Sequence, residues 1–199
     1  MENPQTDAFG RSIKPVRLYG GDGEALPSGA VYGPINVAFA TLTRPANTTP
    51  YSINDSISND GAAGSVTALA ATVADLDDAP LILTHIGLDT NDTGLGGKLV
   101  RAWVYRSDPT ADSGVGAGDN AAFANKKAGL IGTFIGTLFA MSDGAFGNLL
   151  PEGGVGHFVC VPESGGKRLW VQYQTLSDFT SSANSTTLTG HLKGFQARA

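Results

Sequence analysis

The sequence predicts an all-β domain, an antiparallel two-sheet β-sandwich or jelly roll, preceded by an irregular N-terminal arm. Apolar and polar residues alternate with a period of two along several segments between Leu81 and Phe195, which is typical of β-strands. The 27 glycines, with many Ser, Thr and Asn residues, indicate short strands joined by frequent turns. No segment reads as a long helix, so sheets must provide the core.

The first 36 residues are predicted to be an extended arm, and residues 37–199 the β-sandwich domain. Proline and glycine interrupt every short apolar run before Val37, so this stretch cannot bury enough surface to fold alone. It is nevertheless rich in apolar side chains, and these are the candidate partner-binding residues: Phe9, Ile13, Val16, Leu18, Tyr19, Val31 and Tyr32. Two interpretations are open, a terminus folded back on its own domain or an arm that docks on another subunit.

Eight or nine strands are predicted after the arm. They cover residues 37–43, 55–58, 65–75, 81–89, 98–106, 130–141, 155–161, 168–176 and 186–195. Segment 65–75 is ambiguous, because its alanines permit a helix while Val66 and Val73 favour a strand. Residues 121–129 allow one short helical turn. We expect no internal repeat and no long helix.

Segment 98–106 is the clearest of these strands. Val100, Ala102 and Val104 fall on one face, while Arg101 and Trp103 fall on the other with further large side chains. Small apolar residues on one face, and rings with an arginine stem on the other, indicate that both faces are covered. The segment is therefore predicted to be a central strand, and Ser-Asp-Pro at 107–109 ends it.

Composition excludes several function classes. The net charge is -5 and the pI about 5.0, whereas a nucleic-acid-binding face is basic. No apolar run approaches the roughly 18 residues of a membrane helix, and the N-terminus lacks the apolar core of a signal peptide, so we expect folding in a cytoplasm. A single cysteine excludes an internal disulfide framework.

Charged residues are only 16% of the chain, below the usual value of about 25%, which suggests surface buried against partners.

Two loops resemble ligand-binding motifs but do not match them. Residues 89–94 (DTNDTG) resemble the start of a calcium-binding loop, yet its twelfth position is Val100 where a bidentate glutamate is needed. A turn is therefore favoured. Residues 94–98 (GLGGK) resemble a phosphate loop, but Asp92 and Leu99 stand where that motif needs a glycine and a Ser or Thr.

No catalytic residue, metal ligand or cofactor is predicted. His85, His157 and His191 lie on predicted strands without a pair at ligand spacing, so structural roles are favoured. Cys160 lies in an apolar strand and is interpreted as a core thiol, because a nucleophile needs an accessible, electropositive setting. The acidic residues lie mainly in turns.

Three stretches resemble a family of tailed-bacteriophage virion proteins. They are residues 43–51 (TRPANTTPY) with 54–57 (NDSI), residues 103–110 (WVYRSDPT), and residues 118–123 (GDNAAF). The succession of 158–161 (FVCV) and 169–173 (LWVQY) also fits, and the resemblance covers about residues 37–195.

The resemblance implies a structural virion protein, a capsid decoration or cement protein that binds the outer surface of the major capsid lattice as a homotrimer. Its location would be the capsid exterior, and the host cytoplasm during assembly. An acidic protein suits the outer surface better than contact with packaged DNA. The alternatives are a tail or baseplate component and a carbohydrate-binding sandwich with Trp103 or Trp170 as an aromatic platform; an enzyme has the least support.

Overall fold

The computed structural model describes residues 31–62, 65–74, 78–110, 118–124, 128–163 and 165–198. Within these ranges the fold is all-β, as predicted, with no α-helix and one short 3-10 helix at Thr93–Leu95. The strands are β1 Val31–Ala38, β2 Leu42–Thr43, β3 Ser56–Ile57, β4 Leu69–Thr72, β5 Leu81–Thr90, β6 Leu99–Tyr105, β7 Leu130–Thr137, β8 Phe139–Met141, β9 Gly144–Pro151, β10 Phe158–Cys160, β11 Arg168–Thr175 and β12 Thr187–Arg198.

Hydrogen bonds join the described strands into one antiparallel sheet. Its main order is β1-β12-β5-β9-β7-β6-β11-β3, with β10 on β5, β2 on β12, β4 on β11 and β8 on β9. Strand β9 is the junction, because residues 145–149 pair with β5 whereas Leu150 and Pro151 pair with β7. The all-β class is confirmed, and the division into the two sheets of a sandwich or jelly roll stays a prediction.

A single hydrophobic core takes side chains from both ends of this strand order. Leu83, Leu88 and Leu192 on β5 and β12 belong to the same buried cluster as Val104 on β6 and Val171 on β11. Burying apolar area is what selects the inward face of each of these strands.

Strand β6 is central, as its sequence predicts. It pairs with β7 on one side and β11 on the other, and Val100, Ala102 and Val104 are fully buried. Tyr105 is fully buried as well, although alternation places it on the Trp103 face. A register shift between Val104 and Tyr105 in the pairing with β7 explains this, because a bulge re-aims the side chain that follows it.

The predicted start of the first strand is wrong. Strand β1 begins at Val31, not at residue 37, and pairs with β12 from Val31 opposite Arg198 to Ala38 opposite His191. Two of the candidate arm residues, Val31 and Tyr32, therefore lie in a strand. The pair Gly33-Pro34 suggested a break, but an edge strand tolerates proline because the missing donor can face solvent. The other candidates, Phe9, Ile13, Val16, Leu18 and Tyr19, lie outside the described residues.

Other differences arise where glycine and exposed apolar residues obscure the pattern. Segment 130–141 divides into β7 and β8 at Leu138, and β9 was not predicted at all. In β9 the outward residues Phe146 and Leu150 are apolar, so the strand lacks polar alternation. The described parts of 121–129 contain no helical turn; instead Ala122 forms an antiparallel bridge with Asp55.

Gly190 on β12 is a point of close contact between β12 and β11. A Cβ at this position would collide with the hydroxyl oxygen of Tyr173 on β11, and would lie 3.3 Å from Ile86 and 3.4 Å from Phe39. The Tyr173 hydroxyl is buried and has no hydrogen-bond partner in the described part of the chain, and burial raises the pKa of Tyr173. Tyr173 thus fills the space that the absent side chain leaves.

We expect Gly190→Ala to lower the free energy of unfolding by about 1–3 kcal/mol, because the core there has no room for a methyl group. Tyr173→Phe removes the colliding oxygen, and by itself it should cost little, since that hydroxyl has no hydrogen-bond partner among the described residues. The double variant should therefore be more stable than the sum of the two single effects predicts. Urea denaturation measures this, with Gly156→Ala, which has open space around it, as control. If the effects of the two substitutions on the free energy of unfolding were strictly additive, the close contact between position 190 and the Tyr173 hydroxyl would be contradicted.

We expect deletion of residues 1–30 to leave a soluble β-domain with nearly unchanged Tm, and deletion of residues 1–38 to lower the Tm by roughly 5 °C or more. The second deletion removes the whole of β1 from the edge of β12 and with it the buried Ile35. Differential scanning calorimetry distinguishes the two. If the shorter deletion also unfolds the domain, the N-terminal segment folds back onto its own core.

Candidate functional site

The histidines do not form a metal site. His157 is exposed, while His85 on β5 and His191 on β12 are half-buried. Burial and, secondarily, the charge of Lys193 lower the pKa of His85, which favours a neutral ring. Within the described ranges no three His, Cys, Asp or Glu side chains come together as metal ligands.

Cys160 lies in the interior of the fold, as its apolar sequence neighbours predict. The thiol is buried on β10, which pairs with β5. Burial raises the pKa of Cys160 to about 12, although the charge of Arg106 opposes the shift. A thiol that stays protonated at neutral pH is a poor nucleophile, so packing is the role that this environment supports.

Asp92, in the loop that resembles a calcium site, is instead an internal hydrogen-bond acceptor. It is fully buried and caps the 3-10 helix, accepting from the backbone N–H of Gly94 at 2.9 Å. Its Oδ1 also accepts from the backbone N–H of Ser182 at 2.8 Å, and its Oδ2 from the hydroxyl of Ser181 at 2.5 Å. Both carboxylate oxygens are therefore engaged within the protein.

Arg44 is the centre of this buried cluster. Its side chain is fully buried just after β2, and one guanidinium nitrogen donates to Asp119 Oδ2 at 3.1 Å. The second terminal nitrogen, Nη1, lies 3.7 Å from Asp92 Oδ2 and donates to the hydroxyl of Thr186 at 3.2 Å. The guanidinium also lies 4.6 Å from the ring centroid of Tyr51. We call Arg44, Tyr51, Asp92 and Asp119 the Arg44 cluster.

Tyr51 connects the same cluster to a further loop. Its hydroxyl donates to Asp119 Oδ1 at 2.5 Å, and its ring stacks on Phe179 with 4.3 Å between centroids. Asp119 Oδ1 also accepts from the backbone N–H of Ser58 at 3.1 Å. Burial first, and then the hydrogen bond to Asp119, raise the pKa of Tyr51, so the phenol stays neutral.

The Arg44 cluster has the chemistry of a buried polar network that holds loops in place. One buried cation faces two buried carboxylates, and the excess negative charge is stabilised by hydroxyl and amide donors. Burial alone would raise the pKa of Asp92, but hydrogen bonds from Ser181, Ser182 and Gly94 outweigh it and hold that pKa below the ordinary value. The side chains of all four cluster residues are buried, which suits a structural role.

Sequence reasoning missed this cluster as a site. Its members come from loops far apart in the chain, and no local spacing joins Arg44 to Asp92 or Asp119. Two of the stretches on which the predicted resemblance rests contain cluster residues, Arg44 and Tyr51 in 43–51 and Asp119 in 118–123. The occurrence of these cluster residues in the two stretches was the feature of the sequence that could have indicated the cluster.

A second polar network joins side chains of β6, β7 and β11 to Glu152, which follows β9. Arg101 donates to both carboxylate oxygens of Glu152 at 2.8 and 2.6 Å, and Thr133 donates to Glu152 at 2.8 Å. Arg101 and the Trp103 indole N–H both donate to Gln174 Oε1 at 3.1 Å. The hydrogen bonds from Arg101 are the main cause that lowers the pKa of Glu152.

Trp103 does not offer a free aromatic platform. Phe123 stacks on its ring with 5.2 Å between centroids, and the Arg101 guanidinium lies 5.6 Å from the ring centroid. A sugar that stacks on tryptophan needs an open ring face. The other candidate, Trp170, is half-buried on β11 between Tyr105 of β6 and Ala70 of β4.

The β8–β9 hairpin presents an exposed apolar surface. Phe139 is 70% exposed and lies directly opposite Phe146 in the antiparallel pairing, and Met141 is 56% exposed. An open groove of roughly 440 Å³ adjoins them, with Asp89, Asp143 and Thr189 in its lining. We call Phe139, Met141 and Phe146 with this groove the hairpin face. Contiguous exposed apolar side chains beside polar ones are typical of an interaction surface.

Comparison with known proteins assigns no family. No family model matches the chain, and no curated protein and no solved structure is significantly similar to it. None of the described helices is long and apolar enough to cross a membrane.

We expect Asp92→Asn to lower the free energy of unfolding at pH 7 by roughly 3 kcal/mol, because it leaves buried donors and Arg44 short of a charged acceptor. The pKa of Asp92 is lower in the folded protein, so its ionisation stabilises the fold above the unfolded pKa. That stability is lost as the pH falls through the folded pKa. The difference between wild type and variant should therefore shrink as the pH falls below about 4.

Chemical denaturation at a series of pH values measures the difference. Asp89→Asn is the matched control, since Asp89 is an exposed aspartate three residues earlier and should show little difference at any pH. A wild-type-to-Asp92→Asn gap that stays constant down to pH 2.5 would show that the Asp92 charge does not stabilise the fold.

Proposed function

We propose that this chain is a structural virion protein of a tailed bacteriophage, a capsid decoration or cement protein that binds the outer surface of the major capsid lattice and stabilises the head. The proposal includes self-association as a homotrimer, no catalytic activity and no cofactor. Its location is the capsid exterior, and the host cytoplasm during assembly.

The observation that carries the proposal is that the three stretches resembling virion proteins meet in space. The backbone N–H of Ser56 donates to Ala121 and that of Phe123 to Asn54, so 54–57 lies along 118–123. Trp103 of the second stretch stacks on Phe123, and Arg44 of the first binds Asp119. The resemblance therefore concerns contacts that hold one fold together, which supports a shared structural role over chance similarity of loops.

Surface chemistry supports binding to a protein partner. The chain has few charges and a net charge of -5, and it exposes apolar side chains on the hairpin face. An acidic surface opposes binding to packaged DNA, whereas an apolar patch stabilises a protein contact. The major capsid protein is the partner that the resemblance implies.

The alternative of a carbohydrate-binding module has weaker support, because Phe123 and Arg101 cover the ring of Trp103. A tail or baseplate component shares the same resemblance and stays the second candidate. The two virion roles differ in stoichiometry, since a lattice has many equivalent sites whereas a tail has few.

We expect quantitative mass spectrometry of purified particles to find the chain at hundreds of copies, normalised to the major capsid protein. Many sites on one shell require many copies. Recombinant chain should also bind heads that lack it and raise the temperature at which they release DNA. A few copies per particle would support the tail role instead, and absence from particles would refute both virion roles.

A further inference from the structure

The hairpin face has features that select a particular occupant. Its apolar part, Phe139 opposite Phe146 with Met141 beside them, lies on the outer surface of the sheet. Its groove adds the carboxylates of Asp89 and Asp143. A ligand that complements this surface carries apolar side chains and positive charge on a narrow, extended backbone.

The chain itself contains such a ligand. Residues 9–19 (FGRSIKPVRLY) carry five apolar side chains and the cations Arg11, Lys14 and Arg17, with no Asp or Glu between residues 8 and 21. In a chain with a net charge of -5, this is an unusually basic segment. Proline at position 15 also restricts the free segment, which reduces the entropy lost on docking.

The distance between Val31 and the groove favours a neighbouring copy as the source of the segment. Val31 pairs with Arg198, whereas the groove lies beside Thr187 and Thr189 at the opposite end of β12. Eleven residues of strand separate Arg198 from Thr187, which is roughly 37 Å. The twelve steps from Tyr19 to Val31 span at most about 40 Å when fully extended, so the segment of the same copy could reach the groove only if nearly every one of these steps were extended.

We propose that the hairpin face binds residues 9–19 of a second copy of this chain, with Phe139, Met141 and Phe146 taking its apolar side chains and Asp89 and Asp143 its cations. The contact is an exchange of arms between copies. It does not require a capsid, so it stands or falls separately from the virion role.

Cysteine cross-linking between two full-length chains tests the proposal directly. One chain carries Ser12→Cys within the segment, and the other carries Ser142→Cys, an exposed residue between Met141 and Asp143. The native Cys160 is buried and does not compete. With a short bis-maleimide, the mixture is expected to form at least tenfold more covalent dimer than either chain alone, and less as salt is raised.

Variants of the acceptor chain then assign the contact to the hairpin face. Asp89→Lys with Asp143→Lys, or Phe139→Ser with Phe146→Ser, should each lower the cross-linked fraction about tenfold. Ile53→Ser is the matched control, because Ile53 is 56% exposed but lies in a different loop, and it should leave the yield unchanged. Circular dichroism melting of each variant confirms that its fold is intact.

Three results would overturn the proposal. One is a cross-link yield that does not respond to the hairpin-face variants in folded protein. Another is efficient cross-linking within a single chain that carries both Ser12→Cys and Ser142→Cys at high dilution, which would make the occupant the same copy. The last is self-association that persists after deletion of residues 1–30 and is abolished by the hairpin-face variants, which would indicate that two hairpin faces bind each other.

Discussion

The buried guanidinium of Arg44 is the constraint on which the loops of this domain depend. A charge without solvent must be matched by partners at short range, and these partners cannot come from one segment. Asp119 and Asp92 supply the opposite charge, and Tyr51 covers the cation from the ring side. The loop residues Arg44, Asp92 and Asp119 are thereby held together, close to the short strands β2 and β3, which provide few backbone hydrogen bonds.

The same cluster explains how loops in so glycine-rich a chain adopt one arrangement. Buried polar groups are costly when only part of their hydrogen bonds form, so a misplaced loop leaves a carboxylate or an arginine unsatisfied. Apolar packing tolerates small displacements more easily than such a network does. The core stabilises the sheet, and the Arg44 cluster selects one arrangement of its loops.

Much of the sheet could be predicted from the sequence because burial imposes a local period. Strand β6 has a buried apolar face and a contrasting outer face, and its position between β7 and β11 follows from that pattern. Strand β1 was missed because its partner is β12, more than 150 residues away, so that Gly33-Pro34 reads locally as a break. Strand β9 was missed because two of its outward residues, Phe146 and Leu150, are apolar, which weakens the alternation of polar and apolar residues.

The candidate sites depended on features that no local pattern contains. The hairpin face arises because β8 and β9 place Phe139 opposite Phe146, and β5 adds Asp89 beside them. The Arg44 cluster likewise joins residues from positions 44 to 119, whose proximity results from the complete fold. Residue types alone predicted that Cys160 is a core thiol, since that inference needed only its apolar neighbours.

Strand β1 has a consequence for how copies of this molecule can associate. It pairs with β12 alone among the described strands, so within the described residues its other side is an edge of the sheet, and Pro34 is exposed. Proline offers no amide hydrogen to an incoming strand, which makes this edge a poor template for continuing the sheet from one copy to the next. Growth by strand addition, the route to fibrils, is therefore interrupted on this side of the sheet.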